Sequence, residues 1–330
     1  MMKIPGKSIA RPFLAATLAA LTAIGLAGPA QAAWPEKPIR IVVPSSPGGS
    51  ADAVARMVGD RLSRKLGQSV VVENKGGGGG NIATDIVAKA AADGYTLLLT
   101  GNNHTVNVSL FKPAPYALSD FAPVIELTRG PSVFVAANNA PYDTLGQLID
   151  AAKAAPGTIA FGGPGIGLPS HIAFEMFVHA TGIKMIHVPY RGSGPSMSDA
   201  IGGQIPIVAA TLAAGMPHIK AGKLKALAVT SEQRWPSLPQ VPTVAESIGK
   251  PFQHLTWLGI LAPKGTPTDI VELLNKEINT VLQDPGMKET LATMGTNPVG
   301  GTSAAFNSML EEDAKVAALL IHETGLKASK

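Results

Sequence analysis

Pro47-Gly48-Gly49-Ser50, with Asp52 two residues on, stands between an apolar run, IRIVV (39–43), and a helix-like stretch, ADAVARMVGDRLSRKL (51–66). A strand, a glycine turn and a helix that opens near a hydroxyl residue leave backbone N–H groups unpaired at the positive end of the helix dipole. That arrangement binds anions. The residues narrow the kind of anion. The Walker pattern G-x-x-x-x-G-K-[ST] is absent, and so is the dinucleotide pattern G-x-G-x-x-G. Asp52 in the first helical turn suits the dipole but opposes a doubly charged phosphate. One reading is a carboxylate on the N–H groups of Gly48, Gly49 and Ser50. The other is a plain turn, with Gly48-Gly49 for backbone geometry and Ser50 as N-cap.

A second stretch, PGTIAFGGPGIGLPSH (156–171), has the same outline as IRIVVPSSPGGSAD (39–52): strand, glycine and proline, then a helix beginning near a serine. Such an echo suggests two similar lobes whose helix starts face each other across a cleft. KGGGGGN (75–81) lacks the Walker lysine position. It fits a flexible turn capped by Asn81, or a backbone that comes close to a ligand because no side chain intervenes. The seven histidines form neither H-x-x-x-H nor H-E-x-x-H, which speaks against a zinc site. His171, in the first turn of a predicted helix, is the one best placed for a ligand, and a structural role is its alternative. In HVPYRGSGP (187–195), Tyr190 offers a ring and a hydroxyl, and Arg191 a bidentate clamp for a carboxylate. A packing tyrosine and a solvated arginine fit the same residues. No G-x-S-x-G elbow and no carboxylate pair indicate catalysis, and no metal or cofactor is expected.

These loops require strands and helices to hold them. Short apolar runs alternate with amphipathic ones: strands at 39–43, 69–73 and 95–100, with helices at 51–66 and 81–92 between them. Strand-like runs follow at 121–127 and 132–137. A helix at 143–155 leads to a second β-α series, with strands at 158–163, 184–190, 204–210 and 224–230. Helices at 171–182, 196–203 and 212–222 lie between those strands. After a proline-rich connector (236–251) come an apolar run at 255–263 and helices at 267–283, 285–293 and 303–325. The pattern predicts an α/β protein with mixed, mostly parallel sheets flanked by helices. The runs 132–137 and 255–263 would be the crossings between lobes.

The first residues read as a secretory leader. Lys3, Lys7 and Arg11 precede the apolar run 13–27, and Ala30-Gln31-Ala32 supplies a small-residue cleavage site. The whole chain has 27 Lys and Arg against 23 Asp and Glu. Without residues 1–32 the balance is 24 against 23, so no basic surface points to nucleic acid. The absence of cysteine excludes disulfides, thiolate metal sites, a cysteine nucleophile and a lipid-modified N-terminal cysteine. No later segment reaches membrane-span length without charge or proline. A soluble periplasmic protein is expected.

Several stretches together resemble one family, the substrate-binding receptors of the tripartite tricarboxylate transporters, also called Bug receptors. The matching runs include WPEKPIRIVVPSSPGGSADAVAR, VVENKGGGGGNIATD, HTVNVSLF, GIGLPSHIAFEMF, HVPYRGSGPSMSDAIGGQI, PHIKAGKLKALAVT and WLGILAPKGTP, in family order from Trp34 to about Pro267. The resemblance implies a two-lobed periplasmic binding protein of the type II kind, with its ligand cleft between the lobes. Lobe one would be 33–134 with 258–330, and lobe two 135–257. It implies a monomer that holds a small organic carboxylate and serves integral-membrane transporter subunits. The implied ligand contacts are Pro47, Gly48, Gly49, Ser50, Asp52, Gly79, Asn102, Asn103, His104, Gly165, Gly167, Leu168, Pro169, Ser170, His171, Tyr190, Arg191, Gly192 and Thr211. Two departures bear on the ligand. The family usually has Ser or Thr where Leu168 stands, and often Asp-Asn where Ala210-Thr211 stands. Both make the pocket less polar. They imply an aromatic or aliphatic mono- or dicarboxylate rather than citrate, and not an amino acid. A periplasmic sensor that signals through a membrane kinase needs the same closure. An α/β enzyme would need a nucleophile and base that the sequence does not show.

Overall fold

The computed structural model describes residues 1–3, 34–190 and 192–326. The chain divides into two compact units, 1–36 and 37–330. Of the first, residues 1–3 and 34–36 are described, so the core of the leader lies outside the described residues. All elements below belong to the second unit. In chain order they begin with β1 (Ile39–Val43), α1 (Ser50–Leu66), β2 (Val70–Asn74), α2 (Asn81–Ala88), β3 (Thr96–Gly101) and α3 (Asn103–Leu110). Next come β4 (Phe121–Ala137), α4 (Leu145–Ala154), β5 (Ala160–Pro164), α5 (Pro169–Thr181), β6 (Ile186–Tyr190), α6 (Ser193–Ile201) and β7 (Ile207–Thr211). The chain continues with α7 (Leu212–Lys220), β8 (Leu224–Val229), α8 (Val244–Ile248), β9 (Leu255–Pro263), α9 (Thr268–Gln283), α10 (Pro285–Thr293), β10 (Asn297–Pro298) and α11 (Ser303–Thr324).

The expected echo is present in the strand order. β1, β2 and β3 run parallel in the order β2-β1-β3, and β5, β6 and β7 run parallel in the order β6-β5-β7. In each half the first strand is central and an antiparallel strand follows the third: β9 beside β3, and β4 beside β7. Both halves bury near-continuous apolar runs, as parallel strands covered on both faces do. Ile39, Ile41, Val42 and Val43 are fully buried in β1, as are Ile207, Val208, Ala209 and Ala210 in β7.

The two expected sheets are continuous, because the runs 121–127 and 132–137 form a single strand. The 17 residues of β4 pair with β9 through Phe121–Pro131 and with β7 and β8 beyond that point. Pro131 does not break β4, since a residue without an N–H is tolerated where the strand changes partners.

Helix α3 was not foreseen. Asn103, His104, Thr105, Val106, Asn107 and Leu110 are all buried, so it carries no polar face and no 3.6-residue stripe marks it. Its start is fixed from a distance. Asp313 on α11 accepts hydrogen bonds from Thr105 Oγ1, from Trp257 Nε1 at 3.0 Å and from Asn102 Nδ2 at 3.5 Å. Burial pushes the Asp313 carboxyl up, against those three donors. The C-terminal helix thereby locks the end of β3 to β9.

Candidate functional site

A cavity of about 500 Å³ opens at the carboxyl ends of β1, β3, β5, β6 and β7, where open α/β sheets hold ligands. Five helices begin at its wall. Their contributions are Gly49 and Ser50 from α1, Asn103 from α3, Leu168, Pro169 and Ser170 from α5, Gly192, Ser193 and Gly194 from α6, and Thr211 from α7. Side-chain caps are absent at α1, α5 and α6. The N–H groups of Gly49, Ser50, Ala51, Ser170, Ser193 and Gly194 donate to no acceptor among the described residues. Unspent donors at several helix starts give a cavity a positive potential without any basic side chain. The lining among the described residues contains no Lys, Arg, Asp or Glu. The remaining wall is largely apolar, with Val54, Pro131, Trp257, Leu258 and Met294.

Of the predicted residues, Gly48, Gly49, Ser50, Asn103, Leu168, Pro169, Ser170, Gly192 and Thr211 line the cavity. Others are placed elsewhere. The Gly48 N–H is not free, because it donates to Asp52 Oδ2 at 2.9 Å. Asp52 is itself buried and paired with Arg56 at 2.9 Å, so it braces the loop from behind. Burial alone would raise its carboxyl, but Arg56 and the Gly48 N–H hold it below the ordinary range. Ser50 is the first helical residue rather than the cap. That place belongs to Gly49, in extended conformation at φ −78°. Pro47 is exposed and off the wall.

The glycine loop supports the site without lining it. The Gly79 carbonyl accepts from Asn103 Nδ2 at 3.3 Å and Asn107 Nδ2 at 3.0 Å. The helix it precedes is capped by Gly80, not Asn81. A Cβ on Gly80 would meet Asn103 Nδ2 at 2.4 Å, so glycine is required there for close approach. Asn102 is a strand lock. It accepts from Trp257 N at 3.1 Å and donates to the Leu255 carbonyl at 3.3 Å. His104 is buried under Tyr116, its ring stacked at 5.0 Å, and burial pushes it down to about 3.

In the second loop, Gly165 and Gly167 shape the turn behind Leu168. The Gly167 N–H donates to His171 Nδ1 at 3.3 Å, and the His171 ring packs on His187 at 4.0 Å. His171 is therefore the structural histidine of its two readings. Tyr190 likewise packs: its hydroxyl donates to Asp199 at 2.8 Å, and its ring edge stands 3.1 Å from where a Gly162 Cβ would be. Arg191 lies outside the described residues. Thr211 reaches the cavity while its hydroxyl caps α7, accepting from Ala214 N at 3.3 Å. Ala210 is fully buried against Val133 in the sheet, so the exchange at that position does not alter the wall.

Sequence reasoning missed residues from several other segments, among them Ser45, Thr100, the β9 run Thr256–Leu258 and the turn Met294–Thr296. Ser45 Oγ and Thr100 Oγ1 are buried with no hydrogen-bond partner among the described residues. Buried hydroxyls without partners are rare and ask for one. The position of each at the carboxyl end of a strand, Ser45 just beyond β1 and Thr100 in the last residues of β3, was the available signal. Glycines let the distant segments converge: a Cβ on Gly101 would meet the Trp257 carbonyl at 2.5 Å. A more open recess of about 520 Å³ lies at Met176, His179, Phe252 and Glu323, and it gathers none of the predicted residues.

Among the described residues no cluster of His, Asp or Glu is placed to hold a metal, and no helix is long and apolar enough to cross a membrane.

Comparison with known proteins agrees with this geometry. The model of the tripartite tricarboxylate transporter family receptors matches residues 54–326. Protein BugT of Bordetella pertussis is 40% identical over 308 residues, covering 92% of this chain and 94% of its own. The structure of R. palustris Rpa4515 with adipate is 32% identical, with a TM-score of 0.86 over 90% of this chain and all of its own. MatC from Rhodopseudomonas palustris, with bound malate, is 28% identical, with a TM-score of 0.82 over 87% of this chain and all of its own. With its doubled strand–turn–helix layout and a cavity at the paired loops, the chain belongs to the tripartite tricarboxylate transporter receptor family and has that family's two-lobed periplasmic-binding-protein fold.

Proposed function

We propose that this chain is a periplasmic receptor that captures one small organic carboxylate between two lobes and delivers it to a tripartite membrane transporter. The observation that carries the reading is the convergence of five helix starts on a cavity whose described lining has no acid and no Lys or Arg. Free N–H groups at α1, α5 and α6 supply charge-assisted donors for a carboxylate. The buried hydroxyls of Ser45 and Thr100 add two more polar contacts, direct or through water. The lobes are assigned as 33–134 with 258–330 and 135–257, a division that falls within β4 and close to the start of β9's pairing with it. The mechanism is capture without covalent chemistry. A ligand that touches loops of both lobes makes more contacts in the closed form and shifts the population toward it. A monomer suffices, since one chain supplies every wall of the cavity. The leader at 1–32 accounts for the periplasmic location.

The ligand class follows from the wall. Leu168 stands at the start of α5 and contributes no hydroxyl, and the far walls are apolar. Carboxylates with aliphatic or aromatic bodies fit this lining better than citrate, whose three charges and hydroxyl would have to share a wall that includes Val54, Leu168, Leu258 and Met294. Isothermal titration with citrate and a panel of aliphatic and aromatic mono- and dicarboxylates tests this. The expected outcome is saturable binding of at least one less polar acid and weak or absent binding of citrate. Tight citrate binding with no response to the others would overturn it.

A further inference from the structure

The cavity is longer than one carboxylate needs, and one face of α7 runs along it. Thr211, Ala214 and His218 recur at helical spacing and all three line the wall, with Pro217 beside them. His218 is the sole ionisable side chain among the described lining residues. It is half-buried, and its imidazole makes no hydrogen bond or ion pair among them. The rest of the lining is largely apolar, with Pro217 on its own helix and Leu168, Leu258 and Met294 from other segments.

We propose that His218 is a specificity-determining residue that reads the far end of an elongated ligand, selecting a second carboxylate there over an apolar end. The proposal rests on the carboxylate-capture reading above. With the first carboxylate on the free N–H groups of the helix starts, the rest of an elongated ligand lies in the same cavity that His218 lines. A ring N–H of His218 then donates to the second carboxylate, while the methylenes between lie against the apolar wall. A monocarboxylate of the same length leaves that ring N–H without an acceptor.

The test is calorimetric titration of adipate and of hexanoate, which has the same chain length and one carboxylate, into the full chain and into His218→Ala and His218→Gln. The parent is expected to prefer adipate. His218→Ala is expected to lower the adipate-to-hexanoate affinity ratio about tenfold, and His218→Gln, which keeps a donor, to restore part of it. The unliganded melting temperature of each variant checks folding. An unchanged ratio in His218→Ala, with both acids still bound, overturns the role of His218 and leaves carboxylate capture standing. If the parent binds neither acid while another carboxylate of the panel binds, the elongated-diacid assignment is overturned alone. If no carboxylate binds, both readings are.

Discussion

Replacing Gly49 with phenylalanine is expected to abolish ligand-induced thermal stabilisation while the unliganded protein still folds. Gly49 is the N-cap of α1 with φ −78° and ψ 168°, a conformation any L-residue adopts. A Cβ there would meet only the Ser46 carbonyl at 3.7 Å and Ser45 Oγ at 4.0 Å, which are ordinary contacts. The backbone thus accepts a side chain, and the ring must enter the cavity that Gly49 lines. Loss of a favourable cap costs about 1 kcal/mol, a few degrees at most in a chain of this size. Occlusion of the anion site, by contrast, removes the whole binding increment. A ligand present at a hundred times its dissociation constant stabilises the parent by about 2.7 kcal/mol, and in Gly49→Phe that increment should vanish. Gly48 is a poorer test, because its φ of +84° strains any substitution. Unchanged ligand-induced stabilisation in Gly49→Phe would mean that the first loop does not hold the anion.

Stability is expected to fall steeply on mild acidification. Burial pushes His104 down to about 3 and His254 to about 4; burial, aided by neighbouring His171, takes His187 to about 4. In the unfolded chain each takes up a proton near pH 6.5. Between that pH and the folded values the unfolded state binds more protons, so acid favours unfolding. The slope is about 1.4 kcal/mol per pH unit for each histidine, roughly 4 for the three together. Glu126 and Asp313 act in the opposite sense. Burial raises both carboxyls, so the fold takes up protons there before the unfolded chain does and recovers part of the loss. Below about pH 4 the lowered carboxyls of Asp52 and Glu73 add a further loss as they protonate. Urea unfolding at pH 7.5 and 5.5 should show a drop of several kcal/mol. His104→Phe should reduce that drop, because neither His104 ring nitrogen has a hydrogen-bond partner among the described residues and the ring packs against Tyr116 and Phe121. Equal stability at the two pH values would contradict the buried neutral histidines.

Local sequence carried the loops and not the locks. Gly49-Ser50 and Leu168-Pro169-Ser170 were legible because a turn followed by a helix start states its own chemistry, and the echo between them paired the two. Asn102, His104, His171 and Tyr190 looked equally polar and equally near strand ends. Their partners, however, are Trp257, Tyr116, His187 and Asp199, and most of these lie on other elements. Whether a polar side chain enters a cleft or pins a neighbouring strand is decided by contacts as distant as the 155 residues between Asn102 and Trp257. For the same reason Thr100 and the turn at 294–296 were not read as wall. The single long strand β4 was read as two runs because Gly130-Pro131 interrupts its apolar pattern without interrupting its pairing.

The most direct measurement is calorimetric titration of each bound acid beside its neutral methyl ester. Uncapped helix starts that read a carboxylate predict one-to-one saturation by at least one less polar acid and a loss of about tenfold or more in affinity for its ester, since hydrogen bonds to a charged group are the stronger ones. An ester that binds as tightly as its acid, or a full panel of acids that produces no binding, would contradict carboxylate capture by this cavity.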